Sequence, residues 1–243
     1  MSTAETGIHV VVPTYNEAAN VEPLVAALLD ALPADTRITF VDDASPDGTG
    51  GIVETLAEVH PGVDVLHRPA KEGIGPAYVA GFRHALAGDR GLILQMDADF
   101  SHDPAEAPKL VAGCEEADLV LGSRYVEGGR VGRWGKRRLR ISRWGSAYAR
   151  TWLGLDVQDL TGGFKCFRRE VLEAIDLDTV GALGYAFQVE MTFRAVRAGF
   201  RVIEVPILFH DRRVGESKMS RSIVLEAAWR VPLMRLRARR HGA

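Results

Sequence analysis

Within its first 114 residues the chain repeats one pattern four times: a short apolar run, a polar break, then a longer segment with helical spacing. The runs are IHVVVP (8–13), RITFVDD (37–43), VDVLH (63–67) and GLILQMD (91–97), each read as a buried strand. The segments between them, 17–32, 47–60, 73–88 and 104–114, carry apolar residues three and four apart and predict helices. A fifth strand follows at ADLVLGS (117–123). Strands alternating with helices of this length predict βαβ units, and so an α/β fold around a mostly parallel, Rossmann-like sheet flanked by helices. Beyond residue 135 the rhythm loosens. Residues 136–154 predict a basic helix, 159–175 a loop, short strand and helix, 184–199 a helix closed by Gly199, and 200–209 a strand. Residues 1–219 read as one catalytic-size domain. Residues 220–243 read as an extension of basic, amphipathic helices in which Val231 and Met234 fall on one apolar stripe, and Trp229, Leu233 and Leu236 on a second.

In a parallel sheet, ligands bind beyond the carboxyl ends of the strands. The polar clusters of this chain sit there: TYNE after the first strand, DDASPDGT after the second and DADFSHD after the fourth. Asp97 and Asp99 stand two residues apart at a strand end, where residues i and i+2 face the same way. Hard carboxylate oxygens suit Mg²⁺ or Mn²⁺. Taken alone, Asp-X-Asp fits a solvated strand end equally well. Asp42 and Asp43 on the same edge favour a nucleotide diphosphate lying across the strand ends, with a cation between it and Asp99. The GxGxxG fingerprint is absent after the first strand, which argues against a nicotinamide enzyme.

Composition narrows the field further. With 47% apolar residues in 243, the chain can bury a full core. Two cysteines, Cys114 and Cys166, suit a reducing compartment. Neither a secretory leader nor a membrane-spanning run is expected. The net charge of −2 hides an uneven distribution. Residues 130–150 hold eight Arg or Lys and no acid, and from Arg212 onward there are nine bases and two acids. Such local excess points to an anionic partner at one surface. No nucleic-acid motif accompanies it, so nucleic acid is not expected. Trp144, Tyr148 and Trp152, four apart, suit either a core stripe or an interfacial face. His102 reads as a hydrogen-bonded loop residue rather than a ligand. Gln188 and Glu190 either reach the site or serve tertiary contacts, and Gly162 and Gly163 set a turn.

The segments VVPTYNE, VDDASPDGT, KEGIGPAY, MDADFSHDP, GSRY, LTGGFKCFRR, GYAFQVEM and RRVGESKM occur in this order. Together they resemble a family 2 glycosyltransferase of the GT-A fold, and most of all the polyprenol (dolichol) phosphate mannosyltransferases. The resemblance spans residues 8 to about 220. It implies an inverting transfer of a sugar, mannose from GDP-mannose above all, to a polyprenyl or dolichyl monophosphate, with a UDP-sugar such as UDP-glucose as the alternative donor. Pro13, Tyr15, Glu17 and Asp42 would hold the nucleotide. Asp97, Ala98 and Asp99 would hold the diphosphate, with Mg²⁺ or Mn²⁺ on the two carboxylates. Arg124, Arg138 and Ser142 would hold the acceptor phosphate, and Arg212 and Lys218 would close over the donor. Close relatives often carry Gln where this chain has Ser101, so no third metal contact is drawn from that position. The implied place of work is the cytoplasmic face of a membrane, as a peripheral protein. A separate membrane protein is a candidate partner, since spans that relatives carry after the SK loop are replaced here by the amphipathic tail.

Overall fold

The computed structural model describes residues 7–182, 184–211 and 229–236. Seven strands form one sheet: β1 (Ile8–Thr14), β2 (Arg37–Asp42), β3 (Val63–His67), β4 (Leu92–Gln95), β5 (Leu119–Ser123), β7 (Lys165–Arg168) and β8 (Val202–Pro206), in the order β3-β2-β1-β4-β7-β5-β8. All neighbours pair in parallel except β7, which runs antiparallel to both β4 and β5. The fold is therefore the expected α/β arrangement with one inverted strand in its middle. That strand arises because the chain leaves the edge after β5, makes a helical excursion and re-enters from the opposite direction.

Alternating residues of the central strands feed two cores, as strand geometry requires. Val10 and Val12 of β1, Phe40 of β2 and Leu94 of β4 point to the layer formed by α1 (Ala18–Ala31), α2 (Thr49–Val59) and α4 (Ala107–Gly113). Val11, Val41 and Ile93 point to the layer of α3 (Ile74–Ala87), α5 (Lys136–Leu153), α6 (Arg169–Ala174) and α7 (Gly184–Arg197). Burial on both faces explains why these strands read as continuous apolar runs. The small residues of α3 let it lie close: a Cβ on Gly81 would stand 2.3 Å from Val11 Cγ1.

Two elements differ from the sequence expectation. The strand expected over 200–209 divides at Ile207 into β8 and β9 (Leu208–Phe209). β9 leaves the main sheet to pair with β6 (Arg130–Val131), which no sequence pattern announced. The helix expected over 104–114 opens instead with a single tight 3₁₀ turn, Pro104–Glu106, capped by the Asp103 side chain. Of the C-terminal extension, residues 229–236 are helical. Val231 is buried, and Val231 and Met234 pack into the α3/α7 core, whereas Trp229 and Leu236 stay exposed. The stripe residues from 223 to 228 lie outside the described residues.

Candidate active site

Three polar loops meet at the carboxyl ends of β1, β2 and β4, and each contains a residue in left-handed backbone: Asn16, Ala44 and Phe100, with φ of 59°, 55° and 59°. These are the positive-φ non-glycine residues among those described. For Ala and Phe the conformation is costly, and it persists only where surrounding contacts impose it. Here they do. Asn16 N–H donates to Ser45 Oγ at 3.1 Å, Glu17 N–H to Thr49 Oγ1 at 3.0 Å and Ala18 N–H to Asp47 at 3.1 Å, tying the TYNE loop to the DDASPDGT loop. Asp42 is buried and accepts from Ser45 N–H at 3.1 Å and from Thr14 Oγ1 at 3.3 Å. Its neighbour Asp43 pairs with Arg68. Burial raises the Asp43 carboxyl above its ordinary range, and the Arg68 charge opposes that rise. Tyr15 lies beneath the Lys71 ammonium, 3.7 Å from the ring centre. Pro13 is the penultimate residue of β1, with Glu17 just ahead of α1.

The DAD segment is held just as closely. Asp97 is half-buried, and its Oδ1 accepts from the fully buried Tyr78 hydroxyl at 2.8 Å. Burial, and then the charge of Asp97, push the phenol well above its usual pKa, so Tyr78 remains a donor. Asp97 N–H donates to His102 Nδ1 at 3.0 Å, which places the ring proton on Nε2. Burial lowers the His102 pKa against the pull of Asp97 and Asp99, and the ring is stacked on Phe164 at 5.0 Å. His102 is thus a neutral positioning residue, as the hydrogen-bonded loop reading expects. Asp99 Oδ1 accepts from Ser101 N–H at 3.0 Å, and Ser101 O accepts from His210 N–H at 3.0 Å. Ser101 here shapes the loop through its backbone. Ala98, between the two carboxylates, is buried in the α1/α4 core, and Asp99 is buried as well, whereas Asp97 is only half-buried.

Beneath this edge β7 carries Lys165, whose side chain is fully buried. Its Nζ donates to Gln188 O at 2.7 Å and Thr192 Oγ1 at 3.0 Å. Burial lowers its pKa to about 7, with Asp159 pulling the other way. Gln188 accepts from Gln95 at 2.7 Å, and Glu190 accepts from Ala182 N–H and from Arg194. Both serve tertiary contacts. A Cβ on Gly163 would stand 3.3 Å from both Gln188 Nε2 and His102 Cε1, tighter than ordinary van der Waals contact. Gly162 and Gly163 are not among the positive-φ glycines, so close packing rather than a left-handed turn accounts for them.

A second cluster lies past the end of β5. Arg124, expected to meet a phosphate, is buried. Its Nε and Nη2 each donate to the Asp159 carboxylate at 2.6 Å, and Nη2 also donates to Thr161 at 2.9 Å. Burial alone would lower its pKa, but the Asp159 charge more than offsets this and raises it. The guanidinium faces the rings of Tyr125, Trp134 and Phe209 at 5.1, 5.5 and 5.2 Å. Arg138 covers the same Trp134 ring at 3.9 Å and approaches Asp211 at 3.9 Å. Ser142 Oγ accepts from Tyr125 Oη at 2.6 Å. The structure therefore gathers Arg124, Arg138 and Ser142 into one neighbourhood, but only Arg138 remains partly exposed among the two arginines. Arg138 Nε and Trp134 Nε1 are buried atoms without a hydrogen-bond partner. Two orphaned N–H donors beside two guanidiniums fit an anion.

Phe209 joins the two clusters, lying 5.6 Å from His102 and 5.3 Å from Trp134. Arg212 and Lys218, expected over the donor, lie outside the described residues. Sequence reasoning missed Tyr78, Asp159, Trp134 and Phe209. Each is chosen by a partner distant in the chain, and no local pattern marks it.

The amino-acid sequence matches the Glycosyl transferase family 2 description over residues 9–176. The chain belongs to that family. It is 47% identical to an undecaprenyl-phosphate mannosyltransferase of Micrococcus luteus over 232 residues, 96% of this chain and 95% of the relative. It is 45% identical to a polyprenol monophosphomannose synthase of Mycolicibacterium smegmatis, over 95% of this chain and 87% of that one. Among solved structures it resembles glucosyl-3-phosphoglycerate synthase of Mycobacterium tuberculosis in complex with Mn²⁺, UDP-glucose and phosphoglyceric acid. The TM-score is 0.65 at 23% identity, covering 94% of this chain and 81% of the other, a likeness of fold. This glycosyltransferase thus has the GT-A-like architecture that the motifs imply.

Proposed function

We propose that this family 2 glycosyltransferase moves mannose from GDP-mannose to a polyprenyl monophosphate at the cytoplasmic face of a membrane. One observation carries the reading beyond the names of its relatives. A carboxylate-lined edge suited to a metal-bound diphosphate adjoins an arginine–aromatic cluster with orphaned donors suited to a second phosphate. The nucleotide lies against Pro13, Tyr15, Glu17 and Asp42, and the diphosphate against Asp97, Ala98 and Asp99. Asp97 and Asp99 supply hard oxygen donors, while Cys114 and Cys166 are buried away in the core, so the donor set fits Mg²⁺ or Mn²⁺. Such a cation, when bound, neutralises charge developing on the leaving diphosphate. Arg138, with Ser142 and Trp134 beside it, receives the acceptor phosphate, and Arg124 fixes that pocket through Asp159. The family resemblance assigns Arg212 and Lys218, which lie outside the described residues, to the donor.

A phosphate monoester is largely ionised near neutral pH, with a second pKa of about 6. It attacks the anomeric carbon without a general base, so the chain need only align the two anions and exclude water. His102, neutral and committed to Asp97 N–H, and Tyr78, committed to Asp97 Oδ1, hold that alignment rather than move a proton. A single displacement inverts the anomeric centre. Incubation of the full chain with GDP-mannose, GDP-glucose or UDP-glucose and a polyprenyl phosphate, with Mg²⁺, Mn²⁺ or chelator, tests this by mass spectrometry of the lipid. Metal-dependent mannosyl phospholipid from GDP-mannose is expected. Transfer from UDP-glucose alone, or undiminished turnover in chelator, would sink it.

A further inference from the structure

A lipid acceptor requires a surface that meets the lipid, and we propose that this surface is the outward face of α5 together with Trp229, docking on an anionic bilayer. The proposal rests on the lipid-phosphate reading above. Arg137, Ile141, Trp144, Tyr148 and Trp152 follow one another at intervals of four, three, four and four residues, which puts them on one face of α5. The opposite face carries the buried residues Ser146, Ala149 and Leu153. Trp144 is 63% exposed, Trp152 46% and Trp229 56%, so three of the chain's four tryptophans lie at the surface. The rings of α5 already form a ladder, Trp144 on Tyr148 at 5.5 Å and Tyr148 beside Trp152 at 6.3 Å. An assembled ladder loses little side-chain freedom on docking. Arg235 donates to Trp152 O, which sets residues 229–236 against the end of α5. Val231 and Met234 turn inward there, while Trp229 and Leu236 remain outside.

Charge selects the occupant. α5 carries Lys136, Arg137, Arg138, Arg140, Arg143 and Arg150 and not one acid. Four of these cations stand in its first five residues, where the helix terminus is itself positive. Lys136 with Arg140, Arg137 with Arg140 and Arg140 with Arg143 repel one another at helical spacing. A helix arranged for its own stability has acids in that turn. An anionic surface offsets this repulsion, and Trp and Tyr settle at the headgroup level of the same surface. The inner face of α5 touches the arginine cluster through Ser142 on Tyr125 and Ser146 beside Thr161 at 3.3 Å. The outer face is therefore about one helix diameter, roughly 10 Å, from that cluster. A lipid phosphate can enter the cluster while its hydrocarbon stays in the bilayer.

The test uses the full chain with vesicles of phosphatidylcholine, alone or mixed with phosphatidylglycerol, read by co-sedimentation and tryptophan emission. Wild type is compared with a Trp144→Ala/Trp152→Ala variant and an Arg137→Glu/Arg140→Glu variant, each checked for wild-type thermal melting. A water-soluble short-chain prenyl phosphate serves as a bilayer-free acceptor. Wild type should bind anionic vesicles with a blue shift and release in high salt. Each variant should lose at least about tenfold in partition while keeping wild-type transfer to the short-chain acceptor. Variants that bind vesicles like wild type overturn the proposal and leave the face to a protein partner. A wild type that uses the short-chain acceptor yet ignores vesicles also overturns it, with the lipid-phosphate reading intact. Failure to use any prenyl phosphate removes that reading itself.

Discussion

The carboxylate edge and the arginine cluster share one rim of the sheet but are built in opposite ways. Around β1, β2 and β4 the site is made of short loops that satisfy one another: Ser45, Asp47 and Thr49 receive the N–H groups of the neighbouring loop, and Tyr78 and His102 grip Asp97. Strain at Asn16, Ala44 and Phe100 is held by these bonds. Around Arg124 the site is made of long side chains, aromatic rings and one buried ion pair, with orphaned donors left over. The first region presents acids on a pre-formed backbone. The second presents cations whose placement depends on Asp159 and on the helix that covers it. A fixed backbone suits a ligand met in the same pose at each turnover. A cluster of long side chains backed by a helix suits one that enters from a surface.

The sharpest way to break this comparison is Asp99→Ala. On the carboxylate edge, loss of the carboxylate proposed to hold the cation should lower turnover by at least about a thousandfold, while the thermal melt stays near wild type because the loop bonds elsewhere persist. Retained turnover with retained metal dependence would move the cation off this edge. Next in size, Arg124→Ala leaves Asp159 buried without its cation and should cost about 3–5 kcal/mol in urea unfolding. Arg138→Ala, partly exposed and only 3.9 Å from Asp211, should cost under about 1 kcal/mol and raise the acceptor KM instead. Equal stability losses in the two variants would dissolve the distinction drawn between them.

The effect at the seam shows only as a pH dependence. Lys165 sits on β7 between the two regions, its pKa lowered to about 7 by burial. Between that value and the ordinary lysine value near 10.4, the unfolded chain binds more protons than the folded one. Stability should therefore rise with pH across this window, by up to about 1.4 kcal/mol per pH unit from this residue, and level off at its lowest value below about pH 7, where both states hold the proton. Urea unfolding of wild type and Lys165→Met between pH 6.5 and 9.5 isolates the contribution. An unchanged slope in the variant assigns the pH dependence to other groups.

Much of this molecule was legible beforehand. The strands β1, β2, β4 and β5 were visible because burial on both faces leaves nearly continuous apolar runs, the edge strand β3 because its apolar residues alternate with polar ones, and the helices between them because one face must meet the sheet. The polar clusters at the strand ends were visible because carboxylates after a buried strand have few places to go. The antiparallel β7 was not legible in direction, since a four-residue run carries no sign of which neighbour it will pair with. β6 and β9 are too short to show a period at all. Arg124 illustrates the limit most clearly. Its residue type suited a phosphate, but the partner that claims it, Asp159, is 35 residues away and meets it only after β5 and the following excursion fold together. The same holds for Tyr78 and Asp97, and for the aromatic ladder, whose spacing suited a core or a surface equally well. Period, polarity and strand-end chemistry are local and survive in one dimension. Which cation pairs with which acid, and which face of a helix meets the interior, are set by contacts between distant segments, and only the folded chain brings those together.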